Sequence, residues 1–169
     1  DLTQPGNPDL PKISTQIQKH NITRATASPA FFENLPDVLL SGFSEIYTGG
    51  GPVFTDLLAR LKFLGVQSHA VYGSTEAEPI AHFNVDDLNE DLLDLISNGA
   101  GLPAGQPVPG IEMKIIKDDG ARTLSKMTSS EFNALESRIG EILVSGDHVL
   151  KGYLAGRGDE ESKLCVDGK

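Results

Sequence analysis

Three short strand-like runs separated by segments of helical length constrain this chain more than anything else in it. Residues 22–26, 44–48 and 68–72 read as strands. Ser28 and Pro29 open a helix carrying Phe31, Phe32 and Leu35, and residues 52–63 continue into a helix with Leu57, Leu58, Leu61 and Leu64 at helical spacing. A return to the next strand through about a dozen residues makes the strands parallel and the crossovers right-handed. In such a sheet the loops that follow the strands emerge together at its carboxyl edge. Residues 49–51 and 72–76 are therefore expected side by side there, where ligands bind.

The flanking segments read differently. Residues 1–11, rich in proline, glycine and asparagine, read as a linker or surface loop, with a short helix expected over 13–20. Residues 12–109 form the α/β subdomain, and residues 86–97 place Leu88, Leu92, Leu95 and Ile96 on one face of an amphipathic helix whose carboxylates face solvent. A glycine- and proline-rich crossing over 99–109 leaves the sheet, and the period then changes. Residues 111–117 alternate apolar and polar, Asp118-Asp119-Gly120 signals a turn, and residues 140–146 supply another strand, so 110–169 begins a β-rich subdomain with antiparallel pairing. Between these strands, residues 128–137 suit a short helix capped by Ser129 or Ser130, and residues 122–130 suit a surface loop equally well.

Composition narrows the partners. A formal net charge of −10 over 169 residues argues against nucleic acid and anionic membrane, which both require a basic patch. Any nucleotide must then be held locally by backbone amides, a metal ion or a few placed side chains. The single cysteine, Cys165, forms no intrachain disulfide, and no paired Cys/His spacing suggests zinc, so the expected location is intracellular and cytoplasmic. His20, His69, His82 and His148 show no metal-ligand spacing; His82, six residues beyond Glu76, is a weak pocket candidate. No run of about 18 apolar residues predicts a membrane span, and no signal peptide is evident. The chain lacks an initiator methionine and stops just after a strand-like segment, which reads as a piece of a larger protein.

The chemistry gathers in two loops. Gly49-Gly50-Gly51-Pro52 brings backbone amides to a ligand without interference from Cβ atoms, and Pro52 suits a helix start. Tyr72 offers a ring that stacks on an adenine face, Gly73 permits a turn that aims the hydroxyls of Ser74 and Thr75 at phosphate oxygens, and Glu76 supplies a hard oxygen ligand. Magnesium takes only one or two protein carboxylates beside substrate phosphates and water, so one glutamate suffices. Each loop alone fits a purely structural role equally well.

Taken in order, these segments resemble the adenylate-forming (AMP-binding) superfamily of acyl-CoA synthetases, fatty-acid ligases, luciferases and peptide-synthetase adenylation domains. Tyr72-Gly73-Ser74-Thr75-Glu76 is similar to its Tyr-Gly-x-Thr-Glu core. Tyr47-Thr48-Gly49-Gly50-Gly51-Pro52 is similar to its Gly-Gly-x-Pro segment, which lines the adenine and acyl-carboxylate side of the site. The stretch from Gly140 through Gly146 to Gly152-Tyr153 is similar to its Gly-Glu-(Ile/Leu)-x-Val-x-Gly…Gly-Tyr run, a scaffold motif preceded here by a matching passage over 101–115.

The resemblance implies an α/β fold in which a parallel β-α-β layer is followed by antiparallel strands of a small β-barrel-like subdomain. It also implies a ligase that uses ATP and Mg²⁺ to activate a carboxylic acid, first of all a fatty or related acyl acid, through an acyl-AMP anhydride captured by CoA or by a carrier protein's phosphopantetheine. Thr75 and Glu76 become the catalytic pair, Glu76 the metal ligand, and Gly49, Gly50, Gly51, Pro52, Tyr72, Gly73, Ser74 and Thr75 the nucleotide contacts. Ala27, Phe31 and Phe32 fall where the family builds its acyl pocket, although a phenylalanine pair on a helix also suits a core. The family's lysine-bearing phosphate loop, its Thr-Gly-Asp motif and its C-terminal catalytic lysine are not found, so the expected unit is a central fragment without turnover of its own. The contrasting expectation is a non-catalytic nucleotide- or partner-binding α/β module.

Overall fold

The computed structural model describes residues 9–117, 127–159 and 163–167; Asp118-Asp119-Gly120 and most of 122–130 lie outside them. The chain divides into two compact units. The first holds the residues up to Ser74 together with Pro79–Gln106, and the second holds Thr75–Glu78 with the chain from Pro107 onward.

In the first unit, helix α1 (Leu10–His20) begins three residues earlier than the periodicity predicts, because the Asp9 side chain caps it by accepting from Lys12 N at 3.1 Å. Strand β1 (Arg24–Ala27) leads into α2 (Pro29–Glu33), whose proline occupies the first turn where no amide partner is required. A short α3 (Asp37–Leu40), β2 (Glu45–Gly49), α4 (Thr55–Phe63) and β3 (Gln67–Ser74) follow. β1 pairs parallel with β2, and β2 parallel with β3, in the register Ile46↔Ser68 and Gly49↔Val71. Ile46, Leu58, Leu61, Phe32, Leu35 and Leu40 are fully or almost fully buried in one core. On β2 alternate residues take opposite faces: Ile46 and Thr48 are buried, whereas Glu45 and Tyr47 turn the other way.

A strand then appears that the sequence pattern does not announce. β4 (Ala77–Asn84) neighbours β3, and β5 (Gln106–Pro107) completes the order β1-β2-β3-β4-β5. The link from β3 to β4 is Thr75-Glu76 alone, which is long enough only for an antiparallel return. Hairpin turns of this length advertise themselves through Asn-Gly or Asp-Gly, and this one has neither.

The single amphipathic helix expected over 86–97 is instead three pieces, the last a π-helical stretch at Ile96–Ala100. Asn84 accepts from Asp86 N at 3.0 Å and starts a 3₁₀ turn at Val85–Asp87; Asn89 accepts from Leu92 N at 2.9 Å and starts α5 (Glu90–Leu95). The two asparagine caps divide the run between them. Leu88 is buried in the core, whereas Leu95 stays exposed.

In the second unit, β6 (Ile111–Ile116) pairs antiparallel with β7 (Glu141–Gly146), Ile111 opposite Gly146 and Ile116 opposite Glu141. Between them lies α6 (Ser129–Ala134). Its cap is Thr128 and not either of the serines: the Thr128 hydroxyl accepts from Glu131 N, and the Glu131 carboxylate accepts from Thr128 N at 2.8 Å.

Candidate active site

Gly49 ends β2 directly opposite Val71, so the glycine turn leaves the sheet beside the point where β3 runs on through Tyr72. A Cβ at Gly49 would stand 2.5 Å from the Val71 carbonyl oxygen, and Gly50 has φ +73°. Close approach requires glycine at the first position and left-handed backbone at the second. A Cβ at Gly51 would meet nothing within 4 Å, so packing makes no demand there. Gly50, Gly51 and Pro52 are exposed.

Two local expectations are corrected. Pro52 does not start the following helix: α4 begins at Thr55 with Phe54 as its cap residue, and buried Val53 anchors the intervening chain. The amides of Gly50 and Gly51 therefore belong to a loop that follows β2 and precedes a helix N-terminus. Gly73 and Ser74 are not turn residues either; they extend β3, and Gly73 is not among the glycines with positive φ. The turn is confined to Thr75 and Glu76. Tyr72 is 40% exposed, so its ring is available at the surface.

In the second unit the turn residue Glu76 is gripped by the segment after β7. Leu150 N donates to the Glu76 carbonyl oxygen at 2.7 Å, Ala77 forms an antiparallel bridge with Val149, and the Tyr153 hydroxyl donates to Glu76 Oε1 at 2.9 Å. Glu76 is half-buried, and Thr75 is exposed. Sequence reasoning treats Gly152-Tyr153 as scaffold; the hydrogen bond to the turn carboxylate makes Tyr153 part of the site's geometry.

A second polar group lies on the sheet face opposite the first unit's core. The Glu45 carboxylate accepts from the Tyr47 hydroxyl at 2.9 Å and pairs with Arg24 Nε at 2.8 Å. Tyr47 stacks on His69 at 4.6 Å between centroids, and His82 meets His69 edge-on at 5.8 Å. His82 thus belongs to this ring cluster along the strands. The hydrogen bond to Glu45, followed by partial desolvation and the carboxylate's charge, raises the Tyr47 pKa above that of a free phenol. His69 is buried, and neither ring nitrogen has a hydrogen-bond partner; Nε2 lies 3.5 Å from Glu45 Oε1, an ion-pair distance too long or misaligned to count as a hydrogen bond. Phe32 is wholly buried in the core, edge-on to Phe31. Among the described residues no cluster of three or more His, Cys, Asp or Glu could hold a metal ion, and no helix is long and apolar enough to cross a membrane.

A mixed α/β fold, with a parallel layer ending in a glycine turn and a hairpin closed by a Thr-Glu pair, defines the class to which adenylate-forming enzymes belong. The family model described as AMP-binding enzyme matches residues 2–154, and the chain belongs to that family. Among curated proteins it is 28% identical over 168 residues to 4-coumarate–CoA ligase 1 of Glycine max, covering 95% of this chain and 52% of the relative. It is 25% identical to the long-chain-fatty-acid–CoA ligase of Haemophilus influenzae, covering 95% of this chain and 26% of the relative. The chain thus spans between about a quarter and about half the length of these relatives. Among solved structures, the O-succinylbenzoate Coenzyme A synthetase of Bacillus subtilis in complex with ATP and magnesium ion shares the fold with a TM-score of 0.60 at 23% identity, over 94% of this chain and 30% of that one.

Proposed function

We propose that this chain is a central part of an ATP-dependent acid–thiol ligase that activates a carboxylic acid, a fatty or related acyl acid in the first instance, for transfer to CoA or to a carrier-protein thiol. The observation that carries the reading is the register of β2 and β3, which pairs Gly49 with Val71 and brings the glycine turn beside Tyr72. Family membership supports it, as do the relatives' names, which are those of CoA ligases acting on aryl and acyl acids.

In the reaction, a carboxylate oxygen attacks the α-phosphorus of ATP, the bond to the bridging oxygen breaks, and pyrophosphate leaves with its electron pair; a thiolate then displaces AMP from the mixed anhydride. Such displacements depend on positioning and charge neutralisation more than on covalent help. In this reading Tyr72 stacks on adenine. The amides of Gly49, Gly50 and Gly51 approach the nucleotide and the acyl carboxylate next to Pro52. The hydroxyls of Ser74 and Thr75 face phosphate oxygens, with Gly73 beside them on β3 among the nucleotide contacts, and Glu76 holds magnesium.

The donor chemistry fits that ion. A carboxylate is a hard oxygen ligand, and in the absence of a larger acidic cluster among the described residues the remaining ligands fall to phosphate oxygens and water. When bound, magnesium neutralises charge on the phosphates. The chain by itself is expected to turn over no acid, since the lysine-bearing phosphate loop and the Thr-Gly-Asp motif are not in its sequence. A cytoplasmic location belongs to the same reading.

Calorimetric titration with ATP and Mg²⁺ tests it, on the full-length protein that carries this chain. Tyr72→Ala is expected to weaken ATP binding about tenfold, in line with the loss of one base–aromatic stack, and Glu76→Ala to abolish most of the gain that Mg²⁺ gives. Unchanged ATP affinity in both variants would overturn the assignment and favour a non-catalytic module.

A further inference from the structure

We propose that Tyr153 is a positioning residue for the metal-binding carboxylate: its hydroxyl, 2.9 Å from Glu76 Oε1, fixes the orientation in which Glu76 meets a divalent cation. The inference rests on the assignment of Glu76 above and adds a residue outside the hairpin to that site.

A glutamate on a two-residue turn has three rotatable side-chain bonds, and a cation selects one orientation among many. Ordering such a side chain on binding carries an entropic cost, which preorganisation removes. Here the turn is fixed at three points within the second unit: the Glu76 carbonyl by Leu150 N, Ala77 by its bridge to Val149, and the carboxylate by Tyr153. A phenol donating to one carboxylate oxygen occupies one acceptor position and leaves the others open to a cation.

Tyr153 is itself anchored. Its backbone N donates to Asp159 Oδ1 at 2.8 Å, and the Asp159 carboxylate sits against two glycines: a Cβ at Gly152 would lie 3.2 Å from Oδ2, and one at Gly156, where φ is +68°, would lie 3.5 Å from it. Lys163 Nζ stands over the Tyr153 ring, 5.7 Å from its centroid. A continuous path therefore runs from Asp159 through the Tyr153 backbone and phenol to Glu76. A tyrosine serving only to fill space does not require a donor directed at the one carboxylate of the turn.

The test is a calorimetric measurement of ATP affinity with Mg²⁺ chelated and with Mg²⁺ saturating, on the full-length protein and on Tyr153→Phe, Glu76→Gln and the double variant. Tyr153→Phe keeps the ring and removes the donor. The expected result is a gain from Mg²⁺ reduced about tenfold, the usual worth of a hydrogen bond to a charged group, with metal-free ATP affinity unchanged and no further loss when the substitution is made on Glu76→Gln. Asp159→Asn, which loosens the anchor and keeps the phenol, should move the gain in the same direction by less, and it serves if Tyr153→Phe folds poorly. An undiminished gain in Tyr153→Phe, a matching loss of metal-free affinity, or additive effects in the double variant would overturn the proposal. If Glu76→Gln keeps the full Mg²⁺ gain, the assignment of Glu76 fails first, and the role of Tyr153 falls with it.

Discussion

Glu45 lies against Arg24, Tyr47 and His69 on one sheet face, and its effect on Tyr47 can be titrated. A phenol bonded to a carboxylate resists ionisation, because phenolate formation removes the donor and sets two negative charges together. Its pKa is raised on folding, so the stabilisation is fully present below the unfolded tyrosine value near 10 and is lost as pH rises through the higher folded value. Difference ultraviolet titration against Tyr47→Phe isolates this phenol among the three tyrosines. Glu45→Gln is expected to lower its midpoint toward that of a free phenol; an unmoved midpoint would show that the hydrogen bond is not the cause. Glu131 shifts in the opposite sense: hydrogen bonds from Thr128 lower its pKa, so the stability it contributes to the capping box is present above the unfolded glutamate value and lost as pH falls through the lower folded one.

At the scale of elements, Arg60 shows how helices of ordinary propensity are tied into a layer. From α4 its guanidinium donates to Asp37 Oδ1 at 2.7 Å, to the Glu33 carbonyl at 3.2 Å and to the Leu35 carbonyl at 2.6 Å, joining three elements through one planar fork. Arg60→Lys keeps the charge and loses the fork, so it should destabilise almost as much as Arg60→Ala, each by about 1–3 kcal/mol in urea unfolding. Full rescue by lysine would mean that the charge alone matters. Such ties are invisible in a sequence, because Asp37 and Arg60 are partners only after folding. The parallel strands were legible because helices of suitable length separate short strand-like runs, and the Tyr72–Glu76 stretch stood out because its residue types carry chemistry, although Gly73 and Ser74, read as turn, extend β3. β4 was not legible: Thr75-Glu76 lacks turn residues, and Pro79 removes a donor inside the strand. Pro52 misled for a related reason. Val53 and Phe54 continue the loop before helical hydrogen bonding begins at Thr55.

At the scale of the whole molecule, the apolar side chains are shared unequally between the two units. The core that joins Phe32, Leu35, Ile46, Leu58 and Leu61 belongs wholly to the first, whereas the second buries Ala77, Ile111 and Ile116. The residues assigned to the nucleotide divide along the same line, Gly49–Pro52 and Tyr72–Ser74 in the first unit and Thr75 and Glu76 in the second. Local stability follows local packing, so each group should open with its own unit. Leu58→Ala leaves a cavity in the first core and should cost about 2–5 kcal/mol, a large share of the 5–15 kcal/mol typical of a folded domain. Native-state hydrogen exchange reads where that cost falls. Amides of β2 and β3 should lose protection in proportion, whereas the Leu150 amide, bonded to the Glu76 carbonyl within the second unit, should keep most of its own. Equal loss at Leu150 would mean that the units unfold as one, and that the carboxylate of Glu76 depends on the first unit's core as much as Tyr72 does.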